Sequence, residues 1–331
     1  MKVLFVDLEF DYGLASRGIN TIGQLGFKTS FEKLGHNVVP FYYDSYLNGN
    51  LEALQKDLIA KADAEKPDLI FFILFRDQFK KETLTYLKSK YKTVNWFGDD
   101  TWRFEDFTGQ FAPYFTYCIT TDKFSIPKYK ALGVSNVILS QWAAIDDAKF
   151  GDIAPMPYKH EVAFIGGHNR YRAWFIKRLK KHGIHVECYG FGWANGPLSN
   201  EEMIKLFAST KINLNLSNSA SFDLRYLLTH PKNLAHTLHT TKHASQIKAR
   251  NFEINYFAGF QLADYVPGLE DFYEIGKDLA CYATPEEAAL LINYYLSNEK
   301  EREEIRDRGT IKARGKYTYT SQLKKALDEI K

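Results

Sequence analysis

Residues 162–172 read VAFIGGHNRYR, a strand-like apolar run that ends in two glycines and leads into a helical pattern carrying two arginines. Gly166 and Gly167 would let the backbone approach a phosphate closely, and a helix N-terminus offers free N–H donors. Arg170 and Arg172 add fork-shaped donors. The stretch therefore predicts a phosphate cradle at the start of a β-α unit. It matches neither the G-x-G-x-x-G dinucleotide fingerprint nor the Walker sequence, which argues against a nicotinamide enzyme or a kinase.

Short strand-like runs alternate with longer helical runs on both sides of this stretch, a rhythm typical of parallel sheets covered by helices. The chain has 331 residues, which is longer than a domain with a single hydrophobic core usually is. The turn-rich residues 151–160 separate two series of such runs. We therefore predict an α/β protein with two Rossmann-like domains whose parallel sheets face each other across a cleft. The predicted domains are 1–150 and 151–308, with a C-terminal helix over 309–331 that packs back on the first domain.

Composition narrows the function classes. The chain is 45% hydrophobic and 25% charged, which is typical of a folded globular protein, and its formal net charge of +3 is too small to predict a nucleic-acid surface. Its three cysteines lie far apart, so they predict neither a disulfide framework nor a zinc site. No apolar run reaches 18 residues, so we expect no transmembrane segment. These features favour a cytoplasmic protein.

Residues 248–262 read KARNFEINYFAGFQL, a helical pattern that ends on a glycine and runs into a strand. A carboxylate such as Glu253 near the helix start can accept both hydroxyls of a ribose, and Arg250, one turn earlier, can neutralise a diphosphate. The same letters also fit an ordinary N-terminal helix charge followed by Gly259 as a plain C-cap. The pattern is thus compatible with a nucleotide site without requiring one.

Residues 95–102 read NWFGDDTW, where two adjacent carboxylates follow an apolar strand of the first domain. Ligands of open α/β sheets sit beyond the carboxyl ends of the strands, so Asp99 and Asp100 should face the crevice. Either one could deprotonate an acceptor hydroxyl. A solvated turn with an Asx cap explains the pair equally well.

Three further segments give weaker indications. Residues 189–193 read YGFGW, and Gly190 and Gly192 could admit a nucleobase to backbone contacts. Residues 7–13 read DLEFDYG and place polar groups after the first strand, which suits acceptor or sugar binding but also an ordinary loop. Residues 217–246 show no clear period, and their histidines match no standard zinc spacing: His230, His236, His239 and His243.

Taken in order, these motifs resemble the CgeB-like glycosyltransferases of the group 1 GT-B superfamily. The resemblance rests on residues 162–193 and on the chain from Arg250 onward, where Arg-x-Phe-Glu is followed by five residues and a glycine. It implies a GT-B fold and a hexosyltransferase-like enzyme with a nucleotide-sugar donor, UDP-linked or similar. It also implies that Glu253 holds the ribose and that Arg170, Arg172 and Arg250 hold the diphosphate.

The layout is also similar to that of phage DNA β-glucosyltransferases, and by that analogy Asp99 is the base. The chain departs from retaining group 1 enzymes, whose paired glutamates lie eight residues apart, because Ser245 stands eight residues before Glu253. This departure favours an inverting mechanism with Asp99 or Asp100 as base. Arginines and helix dipoles would neutralise the leaving diphosphate, and the sequence has no Asp-x-Asp triplet, so we expect no metal and no cofactor beyond the donor.

Two other functions fit the same architecture: a nucleotide-sugar epimerase or hydrolase, and a noncatalytic nucleotide-sugar-binding protein. The acceptor is left open, because neither a fold nor a donor site reports it. A glycan, a protein or a small molecule would each fit. Modified DNA has only the phage-like layout and the slight positive charge in its favour.

Overall fold

Two parallel β-sheets organise the chain, one of six strands and one of five. The structure, a computed structural model, describes residues 1–146, 153–242 and 244–330. Packing groups the chain into two units, the first formed by Met1–Asp147 with Tyr319–Lys331 and the second by Ala148–Thr318. The prediction of an α/β protein with two Rossmann-like parallel sheets is confirmed.

Strands and helices alternate along both units. The strands are β1 Lys2–Asp7, β2 Asn37–Tyr42, β3 Leu69–Phe72, β4 Thr93–Phe97, β5 Tyr117–Thr120, β6 Val137–Leu139, β7 His160–Ile165, β8 Glu187–Tyr189, β9 Thr210–Asn215, β10 Gln261–Asp264 and β11 Ala280–Tyr282. The α-helices are α1 Thr29–Lys33, α2 Leu51–Glu65, α3 Lys81–Lys90, α4 Asp100–Arg103, α5 Gly109–Phe111, α6 Ile126–Ala131, α7 Arg170–Lys181, α8 Asn200–Ala208, α9 Leu224–Leu227, α10 Pro231–His239, α11 Arg250–Tyr256, α12 Pro285–Ser297, α13 Glu299–Lys316 and α14 Tyr319–Glu329. Within the described ranges, no helix combines the length and apolar character needed to cross a bilayer.

The first sheet has the strand order β2-β1-β3-β4-β5-β6. The four residues 3–6 of β1 are completely buried, as expected for a parallel strand covered on both faces. The direction of strand addition reverses between β1 and β3, so the loops that follow these two strands flank a topological switch point. Ligands of open α/β sheets bind at such points.

The second sheet has the strand order β11-β10-β9-β7-β8. Its switch point lies between β7 and β9, and the Gly166-Gly167 turn directly follows β7. The topology therefore places this turn where a Rossmann-like sheet offers a ligand site.

Two segments have local structure that the sequence patterns did not indicate. The chain after β1 forms a π-helix over Ile22–Lys28 that continues as α1. Gly23 allows this start, because a Cβ there would lie 1.9 Å from a carboxylate oxygen of Asp7. The aperiodic segment 217–246 contains α9 and α10, which no apolar period had indicated.

Helix α14 packs within the first unit, against the π-helix and α1. The backbone N–H of Tyr319 donates to the Ala144 carbonyl at 3.0 Å, and the Tyr319 ring lies 5.1 Å from the ring of Phe27. The hydroxyls of Ser30 and Thr320 are 3.0 Å apart. The sequence places the end of the second domain near 308, whereas α13 continues to Lys316 inside the second unit.

A buried amide network fixes α11 against the second sheet. The Gln261 side-chain nitrogen donates to the Asn251 carbonyl and to Oδ1 of Asn255, both at 2.9 Å. The Gln261 side-chain oxygen accepts from Nδ2 of Asn215 at 3.1 Å. Because unsatisfied buried amides are costly, this pattern allows α11 one rotation relative to β9 and β10.

Helix α13 approaches α11 closely at Gly309. A Cβ at this position would lie 2.2 Å from the Asp278 carbonyl oxygen and 2.7 Å from Nδ2 of Asn255. Asn255 in turn donates to that same carbonyl at 3.2 Å. The glycine therefore determines how closely the long charged helix can pack against the helix that carries Arg250 and Glu253.

We expect Gly309→Ala to lower the free energy of unfolding by about 2–3 kcal/mol, because the new methyl group must displace backbone or the amide network. Denaturant unfolding of the purified protein measures this change. Gly315→Ala is the matched control in the same helix, since a Cβ there meets no atom within 4 Å. It should leave stability unchanged or slightly raised. Equal effects of the two substitutions would contradict the close packing of α13 on α11.

Candidate functional site

The turn after β7 leads into the N-terminus of α7. Asn169 caps this helix of 12 residues, because its side-chain oxygen accepts from the backbone N–H of Arg172 at 2.8 Å. A Cβ at Gly166 would lie 2.7 Å from the Phe164 ring, whereas a Cβ at Gly167 would meet no atom within 4 Å. Packing therefore requires glycine at 166, and the surface beside Gly167 is open.

The loop after β8 supports this turn. Gly190 and Gly192 have φ values of 128° and 86°, in the left-handed region that favours glycine. A Cβ at Gly190 would lie 2.5 Å from the Gly166 carbonyl oxygen, and the indole N–H of Trp193 donates to that same oxygen at 2.8 Å. The two glycines thus hold the cradle turn in shape. Contact of either with a nucleobase stays a prediction.

The two predicted phosphate-binding arginines occupy different environments. Arg170 is exposed at the start of α7. Arg172 turns back under the cradle, where its guanidinium donates to the Gly167 carbonyl at 2.8 Å and to the Ser217 carbonyl at 3.4 Å. Its Nε is buried and has no hydrogen-bond partner among the residues that the structure describes. An anion at the cradle would meet a preorganised guanidinium.

Arg250 and Glu253 form an ion pair on α11. The distance between Nη1 of Arg250 and Oε2 of Glu253 is 3.1 Å, and Nη1 also lies 2.7 Å from the Met203 sulfur. The guanidinium carbon is 5.2 Å from the centre of the Phe207 ring. Burial raises the pKa of Glu253, and the neighbouring Arg250 opposes that rise. The carboxylate is thus held in a largely buried, apolar setting beside one cation.

Arg172 of α7 lies close enough to Arg250 of α11 for their charges to interact. Burial lowers the pKa of Arg172, Asp264 counteracts this, and repulsion from Arg250 lowers the pKa further. Asp264, at the end of β10, accepts from the Ser217 hydroxyl at 2.5 Å, and burial raises its pKa to about 6. The second unit therefore gathers two neighbouring cations from separate helices, a charge arrangement suited to a diphosphate.

Asp99 stands at the junction between β4 and α4. Its carbonyl accepts from the backbone N–H groups of Trp102 at 3.1 Å and Arg103 at 2.9 Å, so it begins the helical turn. The residue is half-buried at the carboxyl edge of the first sheet. This position is compatible with contact to a substrate hydroxyl.

Asp100 is enclosed in the first core. Its carboxylate accepts from the hydroxyls of Thr108 at 2.7 Å, Thr120 at 2.5 Å and Tyr129 at 2.7 Å. Burial raises its pKa to about 6, while these hydrogen bonds oppose the rise. Both carboxylate oxygens of Asp100 are thus engaged, and Asp100 is buried whereas Asp99 is half-buried.

The segment 7–13, which begins at the end of β1, also contains one buried carboxylate and an exposed outer part. Asp7 is buried, accepts from Nδ2 of Asn20 at 3.0 Å, and has a pKa raised chiefly by burial. Asp11 pairs with Arg17 at 2.7 Å, and Tyr12 is exposed with a φ of 55°. The outer part of the loop, rather than its first carboxylate, faces solvent.

Sequence reasoning did not identify an aromatic and cationic cluster at this edge. The rings of Tyr12 and Phe75 lie 5.7 Å apart, edge to face. Guanidinium carbons of Arg17 and Arg76 lie 4.6 Å from the Tyr12 and Phe75 ring centres respectively, and Arg103 donates to the Phe75 carbonyl at 3.1 Å. The cluster joins the loops after β1 and β3 to the end of α4. In the sequence, only the adjacent Phe75 and Arg76 shortly after β3 could have indicated it.

The histidine-rich segment shows no metal site in its described part. His230 caps α10, because its ring nitrogen accepts from the backbone N–H of Lys232 at 3.0 Å. His243 lies outside the described residues. Across residues 1–146, 153–242 and 244–330, no group of three His, Cys, Asp or Glu side chains could hold a metal ion.

A family model matches the sequence of the second half of the chain. Residues 170–328 match a family model described as "Glycosyl transferase-like", a span slightly under half of the chain. The match does not distinguish CgeB-like enzymes from others. Comparison with curated proteins finds no match.

Solved structures share the fold at low identity over nearly the whole chain. The chain is similar to the sucrose-phosphate synthase of Thermosynechococcus elongatus, with a TM-score of 0.67, 10% identity and coverage of 99% of this chain and 98% of that chain. A glycosyltransferase from Rickettsia africae ESF-5 has a TM-score of 0.64 and 10% identity, with coverage of 99% of this chain and 97% of that chain. Anabaena HepE in complex with UDP-glucose has a TM-score of 0.61 and 13% identity, with coverage of 99% of this chain and 98% of that chain. The chain therefore has the GT-B fold, with a glycosyl transferase-like sequence over residues 170–328.

Proposed function

We propose that this protein is a glycosyltransferase, of the CgeB-like kind, that moves a hexose from a UDP-linked donor to a hydroxyl acceptor. The observation that carries the proposal is the Arg250–Glu253 ion pair in the unit whose cradle turn holds the Arg172 guanidinium. A nucleotide-sugar needs cations at its diphosphate and a carboxylate at its ribose hydroxyls. HepE, which shares the fold, was solved with UDP-glucose.

The donor's diphosphate is assigned to the cradle turn and three arginines. We assign its open side to Arg170 and the free N–H groups of α7, and its other side to Arg172 and Arg250. Arg172 supports this assignment, because the Gly167 and Ser217 carbonyls hold its guanidinium at the cradle turn. Glu253 takes the ribose. These donors neutralise the leaving UDP, so the proposed reaction uses no metal and no cofactor.

The proposed reaction is a direct displacement that inverts the anomeric centre. A retaining glutamate would stand at position 245, but Ser245 occupies it and donates to the Asn218 side-chain oxygen at 2.9 Å. We assign the base to Asp99 and not to Asp100, whose oxygens are occupied by three hydroxyls. Asp99 takes the acceptor proton, the acceptor oxygen bonds to the anomeric carbon, and UDP leaves with the electrons of the broken bond.

The acceptor is assigned to the first unit. The Tyr12 and Phe75 rings with their flanking arginines offer a stacking surface for a sugar or another ring. This surface favours a glycan or a small molecule; a protein and modified DNA remain alternatives. All three cysteines are unpaired, which fits the proposed cytoplasmic location.

Two other functions remain candidates. A nucleotide-sugar epimerase or hydrolase would turn over the donor without an acceptor. A noncatalytic binding protein would bind the donor, turn over nothing and tolerate Asp99→Asn. The measurements below separate all three.

We expect calorimetric titration without metal to show that UDP binds the wild-type protein more tightly than GDP does. Glu253→Gln should weaken UDP binding roughly tenfold or more by removing the ribose acceptor, and should leave inorganic pyrophosphate binding unchanged. Arg172→Gln should weaken both ligands, because both carry the diphosphate.

The matched control for the titration is Glu304→Gln, an exposed glutamate of the second unit. It should bind UDP as the wild type does. Binding of neither nucleotide by the wild type would exclude the UDP-linked donor. Equal loss of UDP and pyrophosphate in Glu253→Gln would contradict the ribose assignment.

We expect Asp99→Asn to slow sugar transfer by about 10²–10⁴-fold, the usual contribution of a general base. Its affinity for UDP should stay at the wild-type value. Transfer can be followed as UDP release from UDP-glucose in the presence of an acceptor panel, with donor-only reactions run in parallel. Full activity in Asp99→Asn would remove this residue from the mechanism, and equal turnover without acceptor would favour the hydrolase.

We expect Asp100 to affect the pH dependence of stability, not donor binding. Its folded-state pKa of about 6 exceeds the ordinary value of 3.8, so the protonated form stabilises the fold below pH 3.8. That stability is lost as the pH rises through about 6. The free energy of unfolding should therefore decrease between pH 4 and pH 7. In Asp100→Asn this decrease should be smaller by about 1–3 kcal/mol.

Denaturant unfolding across this pH range measures the slope for wild type, Asp100→Asn and the exposed control Asp328→Asn. Asp264, whose pKa is also raised to about 6, should account for part of the remaining slope. An unchanged slope in Asp100→Asn would show that this carboxyl is not the buried titrating group.

A further inference from the structure

A buried carboxylate lies close to the arginines assigned to the donor. Asp264 is the last residue of β10 and is only 7% exposed. Its charge and that of Arg172 act on each other, because Arg172 lowers the pKa of Asp264 and Asp264 raises the pKa of Arg172. By charge alone, a carboxylate here repels a diphosphate. Its presence beside a proposed anion site therefore indicates a role that outweighs this repulsion.

Asp264 holds the backbone of Ser217, which lies just after the neighbouring strand β9. The Ser217 N–H donates to both carboxylate oxygens at 3.1 Å, and the Ser217 hydroxyl donates to Oδ2 at 2.5 Å. Hydrogen bonds to a carboxylate are stronger than bonds between neutral groups. These contacts therefore fix Ser217 relative to the end of β10.

Ser217 in turn holds the guanidinium of Arg172. The Ser217 carbonyl accepts from Nη2 of Arg172 at 3.4 Å, and the Gly167 carbonyl accepts from Nη1 at 2.8 Å. The two carbonyls follow β9 and β7, the strands on either side of the switch point of this sheet. Because each of the two terminal nitrogens donates to a carbonyl, the planar guanidinium is held in one orientation.

We propose that Asp264 is a positioning residue for the diphosphate of the donor, because through Ser217 it fixes the Arg172 guanidinium at the cradle turn. In this role Asp264 does not touch the ligand. Its negative charge also offsets that of Arg172 before a ligand binds, which stabilises a guanidinium that is partly removed from water. The inference rests on the proposed function only in taking a diphosphate as the ligand of the cradle turn.

Calorimetric titration with inorganic pyrophosphate tests the inference, at about pH 8, where Asp264 is ionised because its pKa is about 6. Asp264→Ala should weaken pyrophosphate binding about tenfold, because Arg172 loses its fixed orientation. Charge alone predicts the opposite sign, since removal of a carboxylate would tighten the binding of an anion. The direction of the change therefore distinguishes positioning from simple electrostatics.

A double-mutant cycle shows whether Asp264 acts through Arg172. In Arg172→Gln there is no guanidinium to position, so Asp264→Ala should no longer weaken pyrophosphate binding in that background. Ser217→Ala is a second variant that leaves the charge of Asp264 in place and removes only the hydroxyl bond. It should weaken pyrophosphate binding about threefold in the wild-type background and have no effect in Arg172→Gln.

Asp278→Ala is the matched control, because Asp278 is a carboxylate of the second unit that is only 4% exposed. It accepts from Lys312 at 2.6 Å and from the backbone N–H of Glu274 at 2.8 Å. It precedes β11, at the opposite edge of the parallel sheet from the end of β10. This variant should lower the melting temperature, as Asp264→Ala does, and leave pyrophosphate affinity at the wild-type value.

Unchanged or tighter pyrophosphate binding in Asp264→Ala would overturn the inference. So would an equal loss of affinity in Asp278→Ala, or the same loss in Asp264→Ala with and without Arg172. A wild type that binds UDP but not pyrophosphate would overturn this inference alone. If the wild type binds pyrophosphate but neither UDP nor GDP, the UDP-linked donor is excluded and the cycle still decides the role of Asp264.

Discussion

The packing of the second unit depends on the hydrogen bonds of one buried side-chain amide, that of Gln261. Gln261 lies in the core between α11 and the sheet, and its side chain has partners only when Asn251, Asn255 and Asn215 hold their observed positions. A rotation of α11 would leave several amides without partners in an apolar interior, at a cost that exceeds any single surface contact. The hydrogen bonds of Gln261 therefore fix the positions of Arg250 and Glu253 on α11, although neither residue takes part in them.

The sequence predicted the sheets well, whereas the surroundings of the candidate site residues arise from several separate elements. Apolar runs such as residues 3–6 and the glycine turn at 166 are local signals, so strand positions and the Rossmann-like class could be read from them. The difference between Asp99 and Asp100 could not, because it arises from hydroxyls on other elements, among them Thr120 and Tyr129. The Tyr12–Phe75 cluster escaped prediction for the same reason, since it joins separate loops.

Helices α9 and α10 show the limit of periodicity most clearly. A method that looks for a buried apolar stripe finds none here, because α10 turns Asn233 and Thr237 inward and its leucines outward. Helix α9 begins seven residues after Ser217, whose carbonyl accepts from Arg172. Helices α9 and α10 and the proposed donor site are thus neighbours along the chain.

Helix α14 gives the first unit a discontinuous sequence with a consequence for biosynthesis. Phe27 and Ser30 find their partners on Tyr319 and Thr320, nearly three hundred residues later. During translation the second unit is complete before the helix that covers this face has been made. Part of the core of the first unit therefore stays exposed to water until the ribosome has synthesised residues 319–329. During this period chaperone binding or aggregation competes with folding.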